Sequence, residues 1–542
     1  MSQAEDYAEL ENTKPPRLPR QIAYIIGNEG CERFSFYGMR NILTQFLVSS
    51  ALLYTAMEVV SQKEREAAAK EVFHTFVLGV YFFPLLGGWL SDRFLGKYRT
   101  ILYLSLVYCV GQACLAFFVD NKLGFFTGLF LIALGSGGIK PCVSAFVGDQ
   151  FDQSNKSLAK IVFDAFYWII NFGSFFASLL MPVFLRHLGP AVAFGIPGLL
   201  MFISTVILWL GRDLYVNVPP APPHPDSFLR VARSALLGDS RLGPGLWLAT
   251  IGGIAAIICI VLGFVDLGRM LFTETPQMLG VAQWWCLGLV AAIGFAGVGT
   301  WLQLDRARSR HPDEAVDGVR SVLRILVLFA LVTPFWSLFD QKASTWVLQA
   351  AGMTKPSWFE PSQMQALNPL LVMLLIPFNN LVLYPWMRSI GFEPTALRRM
   401  GAGIAFSGLS WVAVGALQLV LDGGQPISII WQVLPYALLT FGEVLVSATG
   451  LEFAYSQAPG PMKAAILAFW SLSVTVGNLW VLLVNTAVRN ESVTKSIEQS
   501  GIGVMSFQMF FFAGFAFAAA AAFGLYAMRY KLADHYRKAQ AT

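Results

Sequence analysis

Charged residues are scarce in this 542-residue sequence, because Asp, Glu, Lys and Arg together make up only 13%. An average soluble domain contains about 25%. Hydrophobic residues reach 56%, and phenylalanine alone occurs 44 times. A water-soluble fold cannot hide that much apolar surface, so the composition excludes an ordinary soluble protein and predicts a chain embedded in lipid. The net charge of +5 does not favour nucleic-acid binding and is better explained by the basic loops of a membrane protein.

Cysteine pairs and catalytic motifs are absent from the sequence. The six cysteines lie in or beside apolar runs and none belongs to a CxxC pair, so we interpret them as packing residues and not as disulfides or metal ligands. No GxSxG or HExxH motif occurs, and no nucleophile–base set is visible. An enzyme is therefore the least favoured class, and we expect neither a metal nor an organic cofactor. The polar start of the chain lacks the pattern of a cleavable signal peptide, so the first helix should be retained.

Long apolar runs are what the sequence has in abundance. Fourteen of them are long enough to cross a bilayer, which takes about 20 residues in an α-helix. The sequence thus predicts an all-α membrane protein whose two termini lie on the same side. The predicted helices lie near residues 21–50, 72–92, 99–119, 123–149, 159–185, 191–211, 243–265, 282–304, 320–350, 363–387, 395–421, 427–457, 462–488 and 503–529.

Basic residues mark one side of the predicted membrane. They accumulate in the loops on the side of the termini, as in "DRFLGKYR" and "DRARSRHPD", whereas the other loops contain fewer and mix them with acids, as in "QKEREAAAKE". Cytoplasmic loops of membrane proteins are enriched in Lys and Arg. We therefore expect a multi-pass protein of the inner (plasma) membrane with both termini in the cytoplasm.

The chain divides into two sets of six helices around an insertion. A proline-rich linker, "VPPAPPHPD", is followed by two helices with almost no interior charge, which predicts an inserted transmembrane hairpin. Six plus six helices is the arrangement of two-bundle secondary transporters. The predicted parts are a cytoplasmic tail at 1–20, a six-helix bundle at 21–212, the linker and hairpin at 213–319, a second six-helix bundle at 320–530 and a cytoplasmic tail at 531–542.

The loop "GGWLSDRFLGKYRT" supports this organisation. It resembles the cytoplasmic loop motif of the major facilitator superfamily, with Asp92, Gly96 and Lys97 in the matching places. The resemblance implies the fold of that superfamily.

Ionisable residues inside the spans are few and concentrated. A charge at bilayer depth costs at least a few kcal/mol, so such residues normally face a cavity or a partner. They occur in the first and fourth helix of each six, where a central aqueous cavity would lie. They are Glu29, Glu32, Arg33 and Arg40; Lys140; Asp340 and Lys342; and Glu443 and Glu452.

The stretch "GNEGCERFSFYG" places two acids and one base on one helical face. Glu29 and Arg33 are four residues apart, Glu29 and Glu32 three apart, so all three are neighbours on the helix surface. Arg40 follows on the same face, with Tyr37 between. Two carboxylates beside one arginine cannot both be cheaply ionised in a low dielectric. The pattern favours a proton-binding site; the alternative is a buried structural ion pair.

A glycine-rich stretch and a histidine are two further candidates for a functional role. "GSGGIKP" has glycines and a lysine, but Ile139 and Pro141 do not fit a phosphate-binding loop; Gly135, Gly137 and Gly138 instead indicate close helix packing or local unwinding. His74 is the only histidine within a predicted span. It is either a proton relay or a core group satisfied by hydrogen bonds.

Several stretches carry a resemblance to one family. "EGCERFSFYG" looks like the ExxERFxYYG motif of the proton-coupled oligopeptide transporters. "GGIKPCVSAFVGDQF", "FYWIINFGSFFASL", "FWSLFDQ", "QALNPLLV" and "GLEFAYSQAPGPMKA" resemble the family's other recurring stretches and follow in order along nearly the whole chain. The inserted hairpin resembles the bacterial form. The resemblance implies import of di- and tripeptides driven by the proton gradient, without a cofactor.

The resemblance also implies residue roles. Glu29, Glu32 and Arg33 would form the proton-coupling cluster, and His74 occupies the place of a histidine implicated in coupling in animal members. Arg40 and Lys140 would hold the peptide carboxylate, and Asp340 would pair with Arg40 as an outer gate. Glu443, with Asn171 and Asn368, would hold the amino terminus. The pocket would be lined by Tyr37, Tyr81, Tyr167, Trp336, Phe339, Trp470 and Ser447.

Two positions depart from the family pattern. Phe36 replaces the first tyrosine of the YYG triplet and removes one hydroxyl, and Lys342 stands near a place that is usually uncharged. The second departure changes the charge pattern beside Asp340.

The chemistry of a peptide agrees with the charges in the spans. A peptide is a zwitterion, so its selection needs a cationic pole, an anionic pole and tolerant aromatic walls. In the empty protein we expect Glu443 to pair with Lys140 across the bundles. The alternatives are a proton-coupled transporter of another small solute, such as nitrate or a peptide-like drug, and a receptor that does not transport. A single copy should suffice for transport, and the sequence leaves the oligomeric state open.

Overall fold

The computed structural model of the chain describes residues 18–530 apart from 54–60, 152–157, 221, 223, 239–242, 273–279 and 458–461. Over these residues the chain forms long α-helices joined by short loops, with one isolated β-bridge between Thr354 and Ser428. Both predicted tails therefore lie almost entirely outside the described residues.

Thirteen helices in the described ranges are long and apolar enough to cross a membrane. A fourteenth, Gln21–Ser49, has 29 residues and would be about 43 Å long at 1.5 Å per residue, but it contains four charged side chains. It is the helix that carries Glu29, Glu32, Arg33 and Arg40. The predicted count of fourteen agrees with the structure once this charged helix is included.

The first six helices form one bundle. α1 packs against α5 and α6, and α3 packs against α4 and α6. Aromatic and aliphatic side chains from these helices, such as Phe46, Phe125 and Phe194, form its core. The helices are α1 Gln21–Ser49, α2 Gln62–Leu95, α3 Lys97–Phe117, α4 Lys122–Asp149, α5 Ala159–Leu188 and α6 Pro190–Leu210.

The insertion consists of a short helix and a hairpin. The short helix Phe228–Leu237 buries Phe228, Val231 and Ala235. The hairpin helices α7 Pro244–Phe272 and α8 Val281–Gln303 pack mainly against each other. Large apolar side chains cover the lipid-facing side of α7, for example Ile254 and Ile257.

The last six helices form the second bundle around a separate core. α9 packs against α13, and α11 packs against α12 and α14. Trp346, Trp411 and Tyr436 are fully buried there. The helices are α9 Asp313–Asp340, α10 Pro361–Ser389, α11 Ala396–Asp422, α12 Val433–Ser456, α13 Lys463–Val488 and α14 Val504–Arg529.

Glycines let α4 approach its neighbours closely. A Cβ atom at Gly135 would lie 2.8 Å from the carbonyl oxygen of Leu104, and one at Gly137 would lie 2.5 Å from that of Val80. α4 continues unbroken from Lys122 to Asp149. Close packing, and not local unwinding, is therefore the role of these glycines, and it fixes the position of Lys140 one turn further on.

The alternation of the helices defines two sides of the molecule. We call the side on which α1 begins and α14 ends the terminal side, and the other the far side. The loop between α2 and α3 lies on the terminal side. Gly96 adopts φ +75° there, which favours glycine, and Lys97 forms an ion pair with Asp149 at the end of α4, with 2.5 Å between Nζ and Oδ2.

The two bundles are tied together near the far side. Ion pairs join Arg186 to Glu360 over 2.8 Å and Glu71 to Arg489 over 2.6 Å. Side-chain hydrogen bonds add to these close to the ends of α1 and α5. They run from Thr44 Oγ1 to the Ala343 carbonyl, from Gln363 Nε2 to the Leu179 carbonyl and from Gln365 Nε2 to the Asn41 carbonyl.

Two sequence expectations need correction. α7 extends beyond its predicted end at residue 265 to Phe272, and the added residues include Asp266 and Arg269, which form an ion pair. Asp266 is buried and accepts a hydrogen bond from the indole of Trp284 at 2.7 Å, which explains how the hairpin accommodates it. The second correction concerns Lys342, which the predicted helix 320–350 includes. α9 ends at Asp340, and Lys342 lies in the turn Gln341–Ala343 that follows.

Candidate functional site

Two glutamates and one arginine of α1 form a compact buried cluster. Arg33 Nε lies 2.7 Å from Glu29 Oε1 and 2.7 Å from Glu32 Oε2. All three residues are at least nine-tenths buried. Glu32 also lies 3.5 Å from the hydroxyl of Ser136 on α4. One guanidinium therefore forms ion pairs with two buried carboxylates, as the helical spacing predicts.

Lys140 of α4 lies between two aromatic rings. Its ammonium is 4.2 Å from the ring centre of Tyr81 and 4.6 Å from that of Phe36. Ring faces attract cations, so this arrangement holds Lys140 without a carboxylate partner in the described part of the chain. Phe36, which replaces a tyrosine of the family motif, contributes one of the two faces.

Arg40 and Asp340 join the bundles at the end of α9. Arg40 Nη2 donates to Asp340 Oδ1 at 2.6 Å, and both side chains are buried. Asn478 of α13 donates to the other oxygen, Asp340 Oδ2, at 2.7 Å. The carboxylate of Asp340 therefore has a partner for each oxygen.

His74 continues this chain of polar contacts. Its Nδ1 is 2.7 Å from Asn478 Oδ1, and its Nε2 is 2.9 Å from Ser344 Oγ. The Asn478 oxygen accepts, so Nδ1 carries a proton, whereas a hydroxyl can donate to or accept from Nε2. The surroundings thus satisfy both the neutral and the protonated imidazole. The contacts of His74 cross from the first bundle to the second.

Glu443 of α12 belongs to a second chain of contacts. Asn368 Nδ2 donates to Glu443 Oε2 at 2.5 Å, and Lys342 Nζ donates to Asn368 Oδ1 at 2.9 Å. Asn368 also donates to Thr440 Oγ1 at 3.0 Å. One amide thus bridges the ammonium of Lys342 and the carboxylate of Glu443.

The expected Lys140–Glu443 ion pair is wrong for this conformation. Glu443 is held by Asn368 and its nearby cation is Lys342, whereas Lys140 remains on the rings of Tyr81 and Phe36. The prediction did not assign Lys342 as the partner, because sequence spacing does not reveal that the turn after α9 places Lys342 beside Asn368 of α10. The Arg40–Asp340 pair is present, and its role as a gate stays a prediction.

Aromatic residues form one wall of the site. Trp336 lies edge-on to Phe339 and to Trp470, with ring centres 5.9 and 5.8 Å apart. Lys342 Nζ lies 3.1 Å from the ring centre of Phe339. These three rings come from α9 and α13, in the second bundle.

The other residues predicted to line the pocket make fewer contacts with the charged groups of the site. Tyr37 is half-buried beside Phe36 on α1, and Ser447 is half-buried on α12. On α5, Asn171 donates to the Tyr167 carbonyl one turn earlier at 3.0 Å, and Tyr167 is 41% exposed. Their roles in binding stay predictions.

Sequence reasoning missed three polar residues of the site. Asn478 connects His74 to Asp340, Ser344 contacts His74, and Ser136 contacts Glu32. Asn478 could have been noticed, because "VGNLWVLLV" places an amide inside an apolar run. Ser136 and Ser344 carry no comparable signal, since serine is common in membrane helices.

The charges of the site are divided unequally between the bundles. The first bundle supplies three cations and two carboxylates, and the second supplies one cation, Lys342, and two carboxylates. With all of them ionised, the first bundle has one excess positive charge and the second one excess negative charge. The site is therefore electrically polar across the boundary between the bundles.

Two six-helix bundles with buried charges of both signs between them are the arrangement of the major facilitator fold. A family model described as MFS/sugar transport protein matches residues 2–181. The family model described as POT family matches residues 98–505. This chain therefore belongs to the POT family, as the sequence motifs predict.

Solved structures share the fold throughout. A crystal structure of the POT family transporter PepTSo is 64% identical, covers 96% of this chain and is itself covered completely, with a TM-score of 0.90. A crystal structure of an auto-inhibited POT family peptide transporter is 62% identical over 96% of this chain and 99% of its own, also with a TM-score of 0.90. The predicted fold class is thus confirmed.

Curated relatives are more distant. Solute carrier family 15 member 2 of Mus musculus is 33% identical over 454 residues, which are 80% of this chain and 54% of the relative. The chain spans about half the length of the curated relatives that it matches. Relatives and solved structures alike are described as carriers or transporters, in agreement with the prediction of a transporter and not an enzyme.

Proposed function

We propose that this protein is a proton-coupled symporter that imports di- and tripeptides. One observation carries the proposal: the site has an excess cation on the first bundle and an excess carboxylate on the second. A peptide has an anionic carboxylate at one end and a cationic ammonium at the other, whatever its side chains. It would bind across the boundary with its carboxylate toward Arg40 and Lys140 and its ammonium toward Glu443.

The aromatic wall gives this site its tolerance. Rings accept varied side chains through apolar contact without specific hydrogen bonds, so Trp336, Phe339 and Trp470 would suit peptides of different sequence. Tyr37, Tyr81, Tyr167, Asn171, Asn368 and Ser447 complete the proposed lining. The name of a closely similar solved structure, a POT family peptide transporter, supports this substrate class.

Alternating access would follow from the contacts between the bundles. The ion pairs and hydrogen bonds described above lie near the far side, so this conformation is closed there. A carboxylate arriving at Arg40 competes with Asp340 for the guanidinium, and release of that pair loosens one contact between the bundles. A ligand shifts such an equilibrium only through different affinities for the two states; replacement of the Arg40–Asp340 pair supplies that difference.

Protons would bind at the α1 cluster. Glu29 and Glu32 share Arg33, so the neutralisation of one carboxylate leaves a single well-matched ion pair. The His74–Asn478–Asp340 chain is a second place where a proton would change contacts between the bundles. No cofactor is part of this mechanism, and one copy of the chain is sufficient for it.

The alternative substrate, an inorganic anion such as nitrate, fits less well. An anion has a partner in Arg40 or Lys140 but leaves Glu443 with no cationic ligand to bind. A peptide-like drug that retains both charged ends would use the same poles. The excess carboxylate of the second bundle, opposite the excess cation of the first, therefore favours zwitterions.

Uptake into proteoliposomes tests the proposal. The purified full-length chain should accumulate a labelled dipeptide when the outside is acidic, and unlabelled dipeptides and tripeptides of varied side chains should compete. Single amino acids and nitrate should compete poorly, because neither spans both poles. Uptake that nitrate blocks and peptides do not would contradict the proposal.

We also propose that the terminal side is cytoplasmic, that the membrane is the inner (plasma) membrane and that the chain divides at 212/213 into the first bundle and the insertion. The predicted second boundary at 319/320 falls inside α9, which begins at Asp313, so we propose that the second bundle runs from 313 to 530. Basic residues on the terminal side support this orientation.

Ser309→Cys on that side should react with an impermeant maleimide only in opened cells, whereas Asp120→Cys on the far side should react in intact cells. Both positions are exposed, and the unsubstituted chain measures the reaction of the six native cysteines. The reverse pattern would invert the topology.

A further inference from the structure

We propose that the crevice between the hairpin and the second bundle binds one anionic phospholipid. The crevice lies between α8 on one side and α9 and α13 on the other, with a volume of about 590 Å³. Its lining is almost entirely apolar and includes Val298, Trp301, Val327, Phe469 and Val476. The volume is within the range of small-molecule sites, about 300–1,000 Å³.

The hairpin packs against the transporter near the two ends of α8 and leaves a gap around Gly294, which narrows again at Gly297, where a Cβ atom would lie 3.7 Å from Leu323. Toward the far side, Cys286 packs with Leu78 and Leu482. Toward the terminal side, the turn after α8 packs through Leu304 and Ala307 on α9. Between these contacts, a Cβ atom at Gly294 would find no neighbour within 4 Å. The crevice is thus bounded by contacts of α8 on the far side and on the terminal side.

A guanidinium stands at the terminal end of the crevice. Arg324 of α9 lies over the ring of Trp301, 5.7 Å from its centre. Tryptophan is enriched at the level of the lipid headgroups, so we place this end of the crevice near the headgroups and its apolar lining toward the bilayer centre. The hydroxyl of Tyr526 donates to the Arg324 carbonyl at 3.3 Å and closes the crevice on the side of α14.

Arg324 differs from the neighbouring arginines in its partners. Arg308 forms ion pairs with Asp305, Asp313 and Asp317. Arg320 shares two of these acids, Asp305 and Asp317. Within the described part of the chain, no carboxylate lies within ion-pair distance of Arg324. Asp305, Asp313 and Asp317 are therefore engaged with other arginines, and the charge at the crevice is left for an external anion.

These observations together specify the occupant. An acyl chain fits an apolar crevice that opens to lipid, and a phosphate fits an unpaired arginine. Basic pockets between membrane helices bind anionic headgroups. A phospholipid with a negative headgroup satisfies both ends, whereas a zwitterionic phospholipid satisfies the crevice but gains little from Arg324.

Native mass spectrometry of the full chain tests this proposal. The protein is mixed with phosphatidylglycerol or phosphatidylcholine of identical chains, and the retained lipid is counted. The unsubstituted chain should prefer phosphatidylglycerol about fivefold, the effect of one basic residue near a lipid surface. Arg324→Gln should remove the preference. Arg310→Gln, on the exposed turn before α9, is the charge-matched control and should keep it.

A second pair of variants tests the crevice itself. Gly294→Leu should fill the crevice and release both lipids, whereas Gly253→Leu on α7, where a Cβ atom also has no neighbour within 4 Å, should retain them. Retention of lipid by Gly294→Leu, or an unchanged preference in Arg324→Gln, would overturn the proposal.

Displacement of phosphatidylglycerol by equimolar glycerol phosphate would mean that a free phosphate suffices. A loss of dimers in Gly294→Leu without loss of lipid would assign the crevice to a second copy of the chain. Either result would also overturn the proposal.

Discussion

Replacement of Glu32 by glutamine is expected to abolish proton-driven accumulation of peptide and to leave peptide exchange largely intact. Glu29 and Glu32 both lie 2.7 Å from the same guanidinium nitrogen of Arg33. One cation cannot neutralise two buried anions, so the cluster carries an excess negative charge that the binding of one proton would remove. Glutamine keeps the shape of the side chain and its oxygen near Ser136, but it cannot titrate. Glu29→Gln should have the same effect if the two carboxylates act together.

The expected loss can be stated as an accumulation ratio. A difference of one pH unit is worth 1.36 kcal/mol, so a carrier that moves one proton per peptide accumulates peptide at most about tenfold under that gradient. In Glu32→Gln the ratio should fall to about one. Exchange of labelled for unlabelled peptide at equal pH needs no net proton movement and should persist, which also shows that the variant is folded.

Glu452→Gln provides the matched control. Glu452 lies on α12 and is exposed, so the same substitution removes a carboxylate without touching the α1 cluster. It should accumulate peptide as the unsubstituted chain does. If Glu29→Gln and Glu32→Gln both accumulate peptide normally, the cluster is a structural ion pair and the proton binds elsewhere.

Local geometry made the α1 cluster predictable. Residues three and four apart on one helix must be neighbours, so "EGCER" determines the contacts of Glu29, Glu32 and Arg33 before the helix is packed. The helix count was predictable for a similar reason, since each span is a local property of about 20 residues. Among the described spans, α1 alone is not apolar enough to be recognised by hydropathy, because it carries the charges of the site.

Contacts between distant segments were not predictable in the same way. Lys140 and Glu443 are 303 positions apart in the sequence, and their opposite charges suggested a pair. The structure instead gives Lys140 two aromatic faces and gives Glu443 a bridge through Asn368. Desolvated cations can be satisfied by ring faces or by amides as well as by carboxylates, and charge alone does not distinguish among these partners.

The His74 chain illustrates the same limit. Sequence left His74 open between a proton relay and a satisfied core group, and the structure shows a buried ring with a hydrogen-bond partner at each nitrogen. Those partners come from α13 and from the turn after α9. Because Asn478 also donates to Asp340, satisfaction of the ring and participation in a relay are compatible, and the geometry does not force a choice between them.

Replacement of Glu443 by glutamine should weaken the binding of ordinary dipeptides by about 1.5–3 kcal/mol, the range for a hydrogen bond to a charged group. This corresponds to a rise in Kd of about 10- to 150-fold. In the proposed complex the peptide ammonium donates to the Glu443 carboxylate, one oxygen of which is already held by Asn368 at 2.5 Å. Glutamine can still accept from Asn368, so the free site should keep its shape while losing its charge.

N-acetylated dipeptides separate this effect from a general disturbance of the site. They lack the ammonium, so Glu443→Gln should change their Kd far less than that of the free dipeptides. Binding of matched free and acetylated dipeptides to the unsubstituted chain and to the variant forms a double-mutant cycle. Glu452→Gln on the same helix should leave the Kd of the free and of the acetylated dipeptides unchanged, because its carboxylate is exposed.

The result of this cycle decides between the substrate classes. A coupling energy of about 1.5 kcal/mol or more would mean that Glu443 reads the amino terminus, as a peptide carrier requires. A coupling energy near zero would mean that the carboxylate serves only to balance Lys342 through Asn368. The cationic half of the site would then act alone, as it would in a carrier of small anions, and Arg40 and Lys140 would remain as the substrate-binding residues.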